Sequence, residues 1–339
     1  KTRPLGIPTV ADRIAQTVVK QRLEPTLEAI FHPDSYGYRP GRSPLQAVKV
    51  ARERCWRYDW VVDLDIESFF ETIDHELLMK AVRKHTDCKW MLLYIERWLK
   101  APVQLQDGTL QQRLKGTPQG GVISSLLSNI FLHYVVDKWL QIKYPNIPFE
   151  RFADDMICHC KTRKQALWLK GVLEERLKQC GLKLNQQKTK IVYCQDGKRK
   201  ETYPNRTFDF LGFTFRAREC KGPKGIFTGF NPGISRKAMK NKRQELKDLR
   251  WGKMTQVTLV DLADTLNEKA RGWIQYYGSF YKTAMKPLFK YVNYLLVEWA
   301  RKKYKRFKRS RKKAANWLET IKYDPTEETP YYWMLFKGF

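Results

Sequence analysis

Two short stretches carry carboxylates at spacings that suit cation chemistry. Ile147 to Cys160 reads IPFERFADDMICHC, with Asp154 and Asp155 at its centre. Apolar residues lead in (Phe149, Phe152) and out (Met156, Ile157, Cys158), which predicts strand, tight turn, strand, with two adjacent acids at the hairpin tip. Asp is a common turn residue that bonds its own backbone, so this segment alone favours an ordinary turn. The second stretch alters that balance. Val61-Val62-Asp63-Leu64-Asp65-Ile66 alternates aliphatic and acidic residues, placing Asp63 and Asp65 on one strand face and Val62, Leu64 and Ile66 on the other. An acidic strand face is costly without a cation. Mg²⁺ is a hard octahedral ion that keeps waters and takes one or two carboxylates plus substrate phosphates. Two such ions about 3.5–4 Å apart clamp an in-line phosphoryl displacement, and Asp65, Asp154 and Asp155 are enough to hold them.

The elements that must carry these acids follow from periodicity. Lys1 to Pro8 (KTRPLGIP) is extended by its prolines and glycine and opens without a capping sequence, as though inside a larger domain. Apolar spacing at Ile14, Val18, Val19, Leu23, Leu27 and Ile30 predicts a helix over 11–30, bent or interrupted at Pro25. Residues 34–44 (DSYGYRPGRSP) form a Gly/Pro loop with two arginines, equally a phosphate contact or a basic surface loop, before a helix over 45–56. After the acidic strand come a helix opening at Asp74, another over 91–99, and a hairpin turning at Asp107-Gly108. The loop KGTPQGG at 115–121 then feeds a long apolar helix over 122–140; a glycine loop at a helix start suits an approaching phosphate or substrate. A helix over 162–180 stopped by Gly181, strands over 182–185 and 188–192, and FDFLGFTF at 208–215, bending near Gly212, complete an α+β domain with a largely antiparallel sheet. From about residue 229 the composition turns to helix formers dense in Lys and Arg, with helices from Ser235, over 259–277 and over 287–304. The expected division is 1–228, a helical 229–313 and a tail 314–339. Over 301–313, ten of thirteen residues are Lys or Arg, with Tyr304 and Phe307 interleaved along what reads as a continuing helix. That pattern favours a grip on phosphates over a merely solvated face.

Composition points the same way. Sixty-four basic against 35 acidic residues give a net charge of +29, which favours a polyanionic partner, and 13% aromatic content offers surfaces on which bases stack. No long apolar span, lipidation motif or terminal basic amphipathic helix points to a membrane. The seven cysteines are odd in number and scattered, without the paired spacing of a zinc site, and read as reduced intracellular thiols. Cys158-His159-Cys160 invites a metal reading, yet its two sulfurs share one strand face with no second ligand pair, so core packing is the better reading. Without a signal peptide the expected location is cytoplasmic, in a bacterial cytosol or nucleoid.

RPLGIP at 3–8, SYGYRPGRS at 35–43, DLDIESFF at 63–70, GTPQGG at 116–121, FADD at 152–155, LNQQKTK at 184–190 and FLGFTF at 210–215 occur in the order and spacing of the reverse-transcriptase blocks of group II intron-encoded proteins. Any one block is weak; the ordered set is specific. The chain resembles that family over essentially its whole length, because Gly272-Trp273 through Trp317-Leu318 is similar to the family's thumb, or maturase, domain. The resemblance implies a right-hand polymerase of α+β class, fingers and palm followed by a helical thumb. It implies that Asp65, Asp154, Asp155 and the backbone carbonyl of Ile66 bind two Mg²⁺ ions, with Asp63 a supporting acid. It implies that Phe69 excludes a nucleotide 2′-OH, that Gln119 contacts the incoming nucleotide or the template, that Arg3 holds the triphosphate through bidentate contacts, and that Phe152 lies at the substrate. Lys188, or as simply Lys190, would protonate the leaving pyrophosphate. The FLGFTF strands with Gly212 would grip the primer terminus, and Arg39, Arg42, Lys302, Lys303, Arg306 and Arg309 would contact nucleic acid. The implied partners are group II intron RNA, an RNA template with a DNA primer, target DNA and dNTPs.

Departures from the family pattern are few. Phe152 stands where the family has Tyr, which keeps the ring and loses a hydroxyl. The early fingers blocks expected upstream of RPLGIP are absent, which suggests a piece of a longer protein, and no zinc-bearing endonuclease domain follows the thumb. An RNA-dependent RNA polymerase would carry Gly where Ala153 stands and an Asp where Phe70 stands, five residues after Asp65. The mutagenic retroelement class lacks this form of PQGG loop. A non-catalytic RNA-binding maturase is the alternative from a different class, and the three intact acids argue against it.

Overall fold

The structure, a computed structural model, describes residues 6–105, 107–223, 225–323, 330 and 332–335. The chain divides into two units, residues 1–208 with 217–230 and residues 209–216 with 231–339.

In the first unit, α1 (Val10–Glu28) starts where the Thr9 hydroxyl accepts from the Asp12 N–H, and it runs unbroken through Pro25. Pro25 faces solvent while Leu23 and Leu27 on either side are buried, so core packing offsets the ~3 kcal/mol penalty of an interior proline. α2 (Pro44–Cys55) opens with a capping box between Ser43 and Gln46. Next come β1 (Trp60–Leu64), the short α3 (Phe69–Thr72), α4 (His75–Arg83), α5 (Lys89–Lys100) and the small hairpin β2 (Val103–Gln104) with β3 (Leu110–Gln111). The expected apolar helix is present as α6 (Ser124–Leu132) and α7 (Lys138–Lys143), joined by one π-helical segment, His133–Asp137. β4 (Phe149–Phe152) and β5 (Asp155–Cys160) form the acidic hairpin, followed by α8 (Arg163–Gln179) and β6 (Lys190–Tyr193). The strands order β4-β5-β1-β6, every neighbour antiparallel.

Side chains alternate across this sheet as the sequence predicts. Trp60, Val62, Leu64, Met156, Cys158 and Cys160 face the main core. Cys158 and Cys160 are 0% exposed, so they pack rather than ligate. The expected strand over 182–185 is reduced to one bridge, Leu184 with Ile66, because Asn185 turns the chain.

β7 (Phe208–Phe210), β8 (Phe213–Gly222) and β9 (Gly225–Ile234) form a three-stranded sheet in the order β7-β8-β9. Leu211 and Gly212, with φ of 51° and 81°, join β7 to β8; two left-handed residues in a two-residue loop match the right-handed strand twist. The second unit continues with α9 (Arg236–Asp248), α10 (Leu259–Tyr281), α11 (Lys286–Lys303), α12 (Arg311–Tyr323) and α13 (Tyr332–Leu335). Its core is built from Leu262, Leu266, Trp273, Phe289, Leu296 and Trp299. Two expectations change here. The residues expected as a tail belong to the core, since Ala314, Leu318, Tyr332 and Trp333 are buried in it. The basic run does not continue a helix: α11 stops at Lys303, Tyr304 is extended (φ −103°, ψ 116°), and Lys305–Phe307 makes a 3₁₀ turn that buries Phe307. Burying Phe307, with Tyr304 half-buried against it, outweighs the helix propensity of the lysines.

Candidate active site

The register of β1 against β5 pairs Asp63 with Ile157 and Leu64 with Met156. Leu64 is the last residue of β1 and Asp155 the first of β5, so Asp65 and Asp155 each adjoin the Leu64–Met156 pair. Asp154 lies one residue earlier, in the turn closed by Phe152 and Asp155. Three acids from two segments of the chain therefore lie toward the same end of the sheet. Asp65 is pinned on both sides of its peptide: its N–H donates to the Thr189 hydroxyl (3.3 Å) and its carbonyl accepts from the Asn185 N–H (2.8 Å). The Asn185 side chain accepts from the N–H groups of Gln187 and Lys188, and this turn sends the Lys188 ammonium to both Asp65 carboxylate oxygens at 3.2 Å. Lys190 stands opposite Asp63 in the β1–β6 ladder.

Among the described residues no group of three or more His, Cys, Asp or Glu is arranged so that it could hold a metal ion. The donors nevertheless fit Mg²⁺. All are hard carboxylate oxygens at a solvent-reachable sheet end, a cation already sits on Asp65 in the form of Lys188, and Mg²⁺ draws much of its shell from water and phosphate.

The hairpin tip is held by residues the sequence did not single out. Ala153 adopts φ 58°, a left-handed conformation costing a non-glycine residue roughly 1–2 kcal/mol. Arg151, 1% exposed, clamps Asp137 with two bonds (Nε to Oδ1 2.7 Å, Nη2 to Oδ2 2.6 Å) and donates to the Ala153 carbonyl at 3.0 Å. Burial holds the neighbouring His133 down to about 4, so at neutral pH the partner charge of Asp137 is Arg151. Residues 34–37 run along the edge of β4: the Arg151 N–H donates to the Asp34 carbonyl and the Tyr36 N–H to the Arg151 carbonyl. Gly37 lies so close that a Cβ there would stand 2.3 Å from the Ala153 nitrogen. Tyr38 follows; its hydroxyl is pushed up by burial and then by the Asp154 and Asp155 carboxylates, and its ring lies 6.4 Å from that of Phe152. SYGYRPGRS is thus first of all a buttress of the acidic hairpin. The sequence signal for this was a Glu-Arg pair between the two phenylalanines of the short strand Phe149–Phe152.

Several expected site residues stand elsewhere. Arg39 is directed inward, its guanidinium bonded to the Glu28 carboxylate and to the carbonyls of His32 and Ser35, whereas Arg42 is exposed. Phe69 is 2% exposed and packs against Phe131, which places it in the core; the half-buried ring beside it is Phe70. The Phe70 carbonyl accepts from the Thr117 N–H at 2.7 Å, so the glycine loop lies against this residue. Gln119 is half-buried in that loop, its carbonyl accepting from the Gly6 N–H. Ile66 bridges to Leu184, and Arg3 lies outside the described residues. In the second unit Gly212 serves the β7–β8 turn against Tyr277, and Lys303 caps the carbonyls of Thr255, Gln256 and Val257. Arg306 covers the Phe307 ring at 4.6 Å, and Lys302, Arg306 and Arg309 are exposed.

Comparison with known proteins agrees with this architecture. Residues 1–215 match the family model described as reverse transcriptase (RNA-dependent DNA polymerase), and residues 239–317 match the group II intron, maturase-specific domain. Protein YkfC of Escherichia coli (strain K12) is 36% identical over 238 residues, covering 58% of this chain and 61% of YkfC. Group II intron-encoded protein LtrA of Lactococcus lactis subsp. cremoris is 36% identical over 157 residues, covering 46% of this chain and 26% of LtrA. The chain thus spans less than two thirds of the length of either relative. Among solved structures, telomerase from Candida albicans in complex with a TWJ fragment of telomeric RNA aligns with a TM-score of 0.50 at 14% identity, over 91% of this chain and 54% of that one. At that identity the likeness concerns the fold alone.

Proposed function

Because the chain belongs to the family of group II intron-encoded reverse transcriptase/maturases, we propose that it is an RNA-directed DNA polymerase that extends a primer with dNTPs and also binds intron RNA to assist splicing and retrohoming. Its fold is the family's α+β fingers and palm followed by a helical thumb. The observation that carries the reading is the place of Asp65 and Asp155 beside the last β1–β5 pair, Leu64 with Met156, with Asp154 in the adjoining turn.

In this reading Asp65, Asp154 and Asp155 hold Mg²⁺, with the Ile66 carbonyl as a backbone ligand and Asp63 as the supporting acid. The bound ions supply the charge that activates a primer 3′-OH and neutralises the leaving pyrophosphate. Lys188 is the group that protonates the pyrophosphate; its support is the ammonium's 3.2 Å contact with Asp65, where Lys190 faces Asp63. Gln119 contacts the nucleotide or template, Phe152 lines the nucleotide side of the hairpin, and Gly212 serves the primer end. Sugar selection passes from Phe69 to Phe70, because a ring buried in the core cannot meet a ribose. Arg42, Lys302, Arg306 and Arg309 contact RNA phosphates, while Arg39 and Lys303 act by holding their own loops. The substrates are an RNA template with a DNA primer, dNTPs and target DNA, met in the cytoplasm. Among the described residues no helix is long and apolar enough to cross a membrane.

Primer extension on an RNA template tests this. The protein is expected to make cDNA from dNTPs and little product from rNTPs, and Phe70→Ala to raise rNTP use by roughly 10-fold or more, the scale at which pocket shape discriminates. RNA binding with no extension product would leave only the maturase reading, and a preference for rNTPs would make it an RNA polymerase. The exposed cations make a separate prediction. Replacing Lys302, Arg306 and Arg309 by Ala should weaken RNA binding and flatten the log–log salt dependence by about one unit for each phosphate no longer neutralised. An unaltered slope in a salt titration would mean that these side chains are only solvated.

A further inference from the structure

Beneath the acidic hairpin lies a polar group that is wholly buried yet not needed to complete any helix or strand. Ser35, Asn129 and Asp137 are 0–1% exposed and converge on one guanidinium, that of Arg151. Asp137 takes two of its donors, the Ser35 hydroxyl accepts from Nη2 at 2.7 Å, the Asn129 side-chain oxygen accepts from Nη1 at 3.0 Å, and the remaining Nη1 partner is the Ala153 carbonyl. Asn129 also donates to the Gly37 carbonyl at 2.7 Å, tying the buttress loop to the same cluster. Asp137 ends the π-helical segment, an extra residue within a helix that commonly marks a functional position.

We propose that Arg151 and Asp137 form a positioning pair for phosphoryl transfer, resting on the polymerase reading above. The guanidinium reaches two residues along its own strand, bonds the carbonyl of the left-handed Ala153, and so fixes the direction in which the next two residues present their carboxylates. Asp137 makes that possible by holding the fork in one orientation. Arginine suits this task because its planar donors serve several acceptors at once, which the point charge of lysine does not. Had the pair been present for stability alone, an apolar pair of equal volume would serve as well or better, since a buried ion pair gives back in desolvation much of what it gains.

That contrast defines the experiment. The double variant Arg151→Met/Asp137→Leu removes both charges together and leaves neither unpaired. Positioning predicts that it folds and binds template–primer as the wild type does. Single-turnover dNTP incorporation should fall about 100-fold, the scale of a 1 Å misplacement, and the Mg²⁺ concentration for half-maximal rate should rise several-fold. Wild-type rate and wild-type Mg²⁺ dependence in the folded double variant would overturn the proposal. Should that variant fail to fold, Arg151→Lys decides. It keeps the charge opposite Asp137 but cannot also reach Ala153, so a raised Mg²⁺ midpoint with normal template–primer binding supports positioning, and an unchanged midpoint refutes it. A wild type that makes no cDNA would sink the polymerase reading and this proposal together; an active double variant would sink only this one.

Discussion

Asp154→Asn is expected to abolish cDNA synthesis, by at least about 10³-fold, while leaving RNA affinity and the thermal midpoint near those of the wild type. The magnitude follows from the several kcal/mol that a correctly placed ion contributes to the charge developing on the transferring phosphoryl group. The fold should tolerate the change. Asn keeps the shape and turn preference of Asp, the left-handed residue of the turn is Ala153 rather than Asp154, and the pairing of Phe152 with Asp155 that closes the hairpin is between backbones. What Asn loses is the negative charge. Primer extension measured beside RNA binding reads the two apart: activity lost with binding kept identifies a metal ligand, loss of both identifies misfolding, and near-normal extension would remove Asp154 from the chemistry.

Gly37→Ala should be nearly as damaging, although residue 37 carries no reactive group. A methyl there would lie 2.3 Å from the Ala153 nitrogen and 2.9 Å from the Phe152 carbonyl carbon, both backbone atoms that cannot swing aside. Either the buttress loop lifts off β4 or the hairpin tip shifts, and a shift on the order of 1 Å is enough for about a 100-fold loss. Gly171→Ala provides the contrast. It lies in α8 with open space where its Cβ would go, so it should leave activity unaltered and add roughly 0.5–1 kcal/mol of stability through helix propensity. Equal effects of the two substitutions on incorporation rate would mean that the close approach at Gly37 has no bearing on the site.

Much of the site is legible in the sequence because strand periodicity carries face information directly. Asp63 and Asp65 alternate with buried aliphatics, and the structure turns them to the face the alternation implies. The acidic hairpin is legible for the same reason. The assignment at Phe69 and Phe70 is not, because two consecutive rings at the start of α3 are equivalent by composition; only the packing of Phe69 on Phe131 decides which one faces the core. Arg39 and Lys303 read as phosphate ligands in the sequence because a basic residue in a polar loop looks the same whether it meets phosphate or its own chain's carbonyls. The basic run reads as one helix because periodicity does not register that Phe307 gains more by burial than the lysines gain by remaining helical.

By itself the sequence determined the class of chemistry: which acids alternate with which apolar residues, the order of the blocks, and a charge of +29 that calls for a polyanion. These are properties of near neighbours along the chain or of composition, and they need no knowledge of what lies across the fold. Only the tertiary structure decided that Asp65 and Asp155 both adjoin the Leu64–Met156 pair, that Gly37 closely approaches Ala153, and that Arg151 directs its donors to Asp137, Asn129, Ser35 and the turn. Those pairings join residues as much as 116 positions apart, as between Ser35 and Arg151. They depend on strand register and on the path of a loop, which local preference along the chain does not encode.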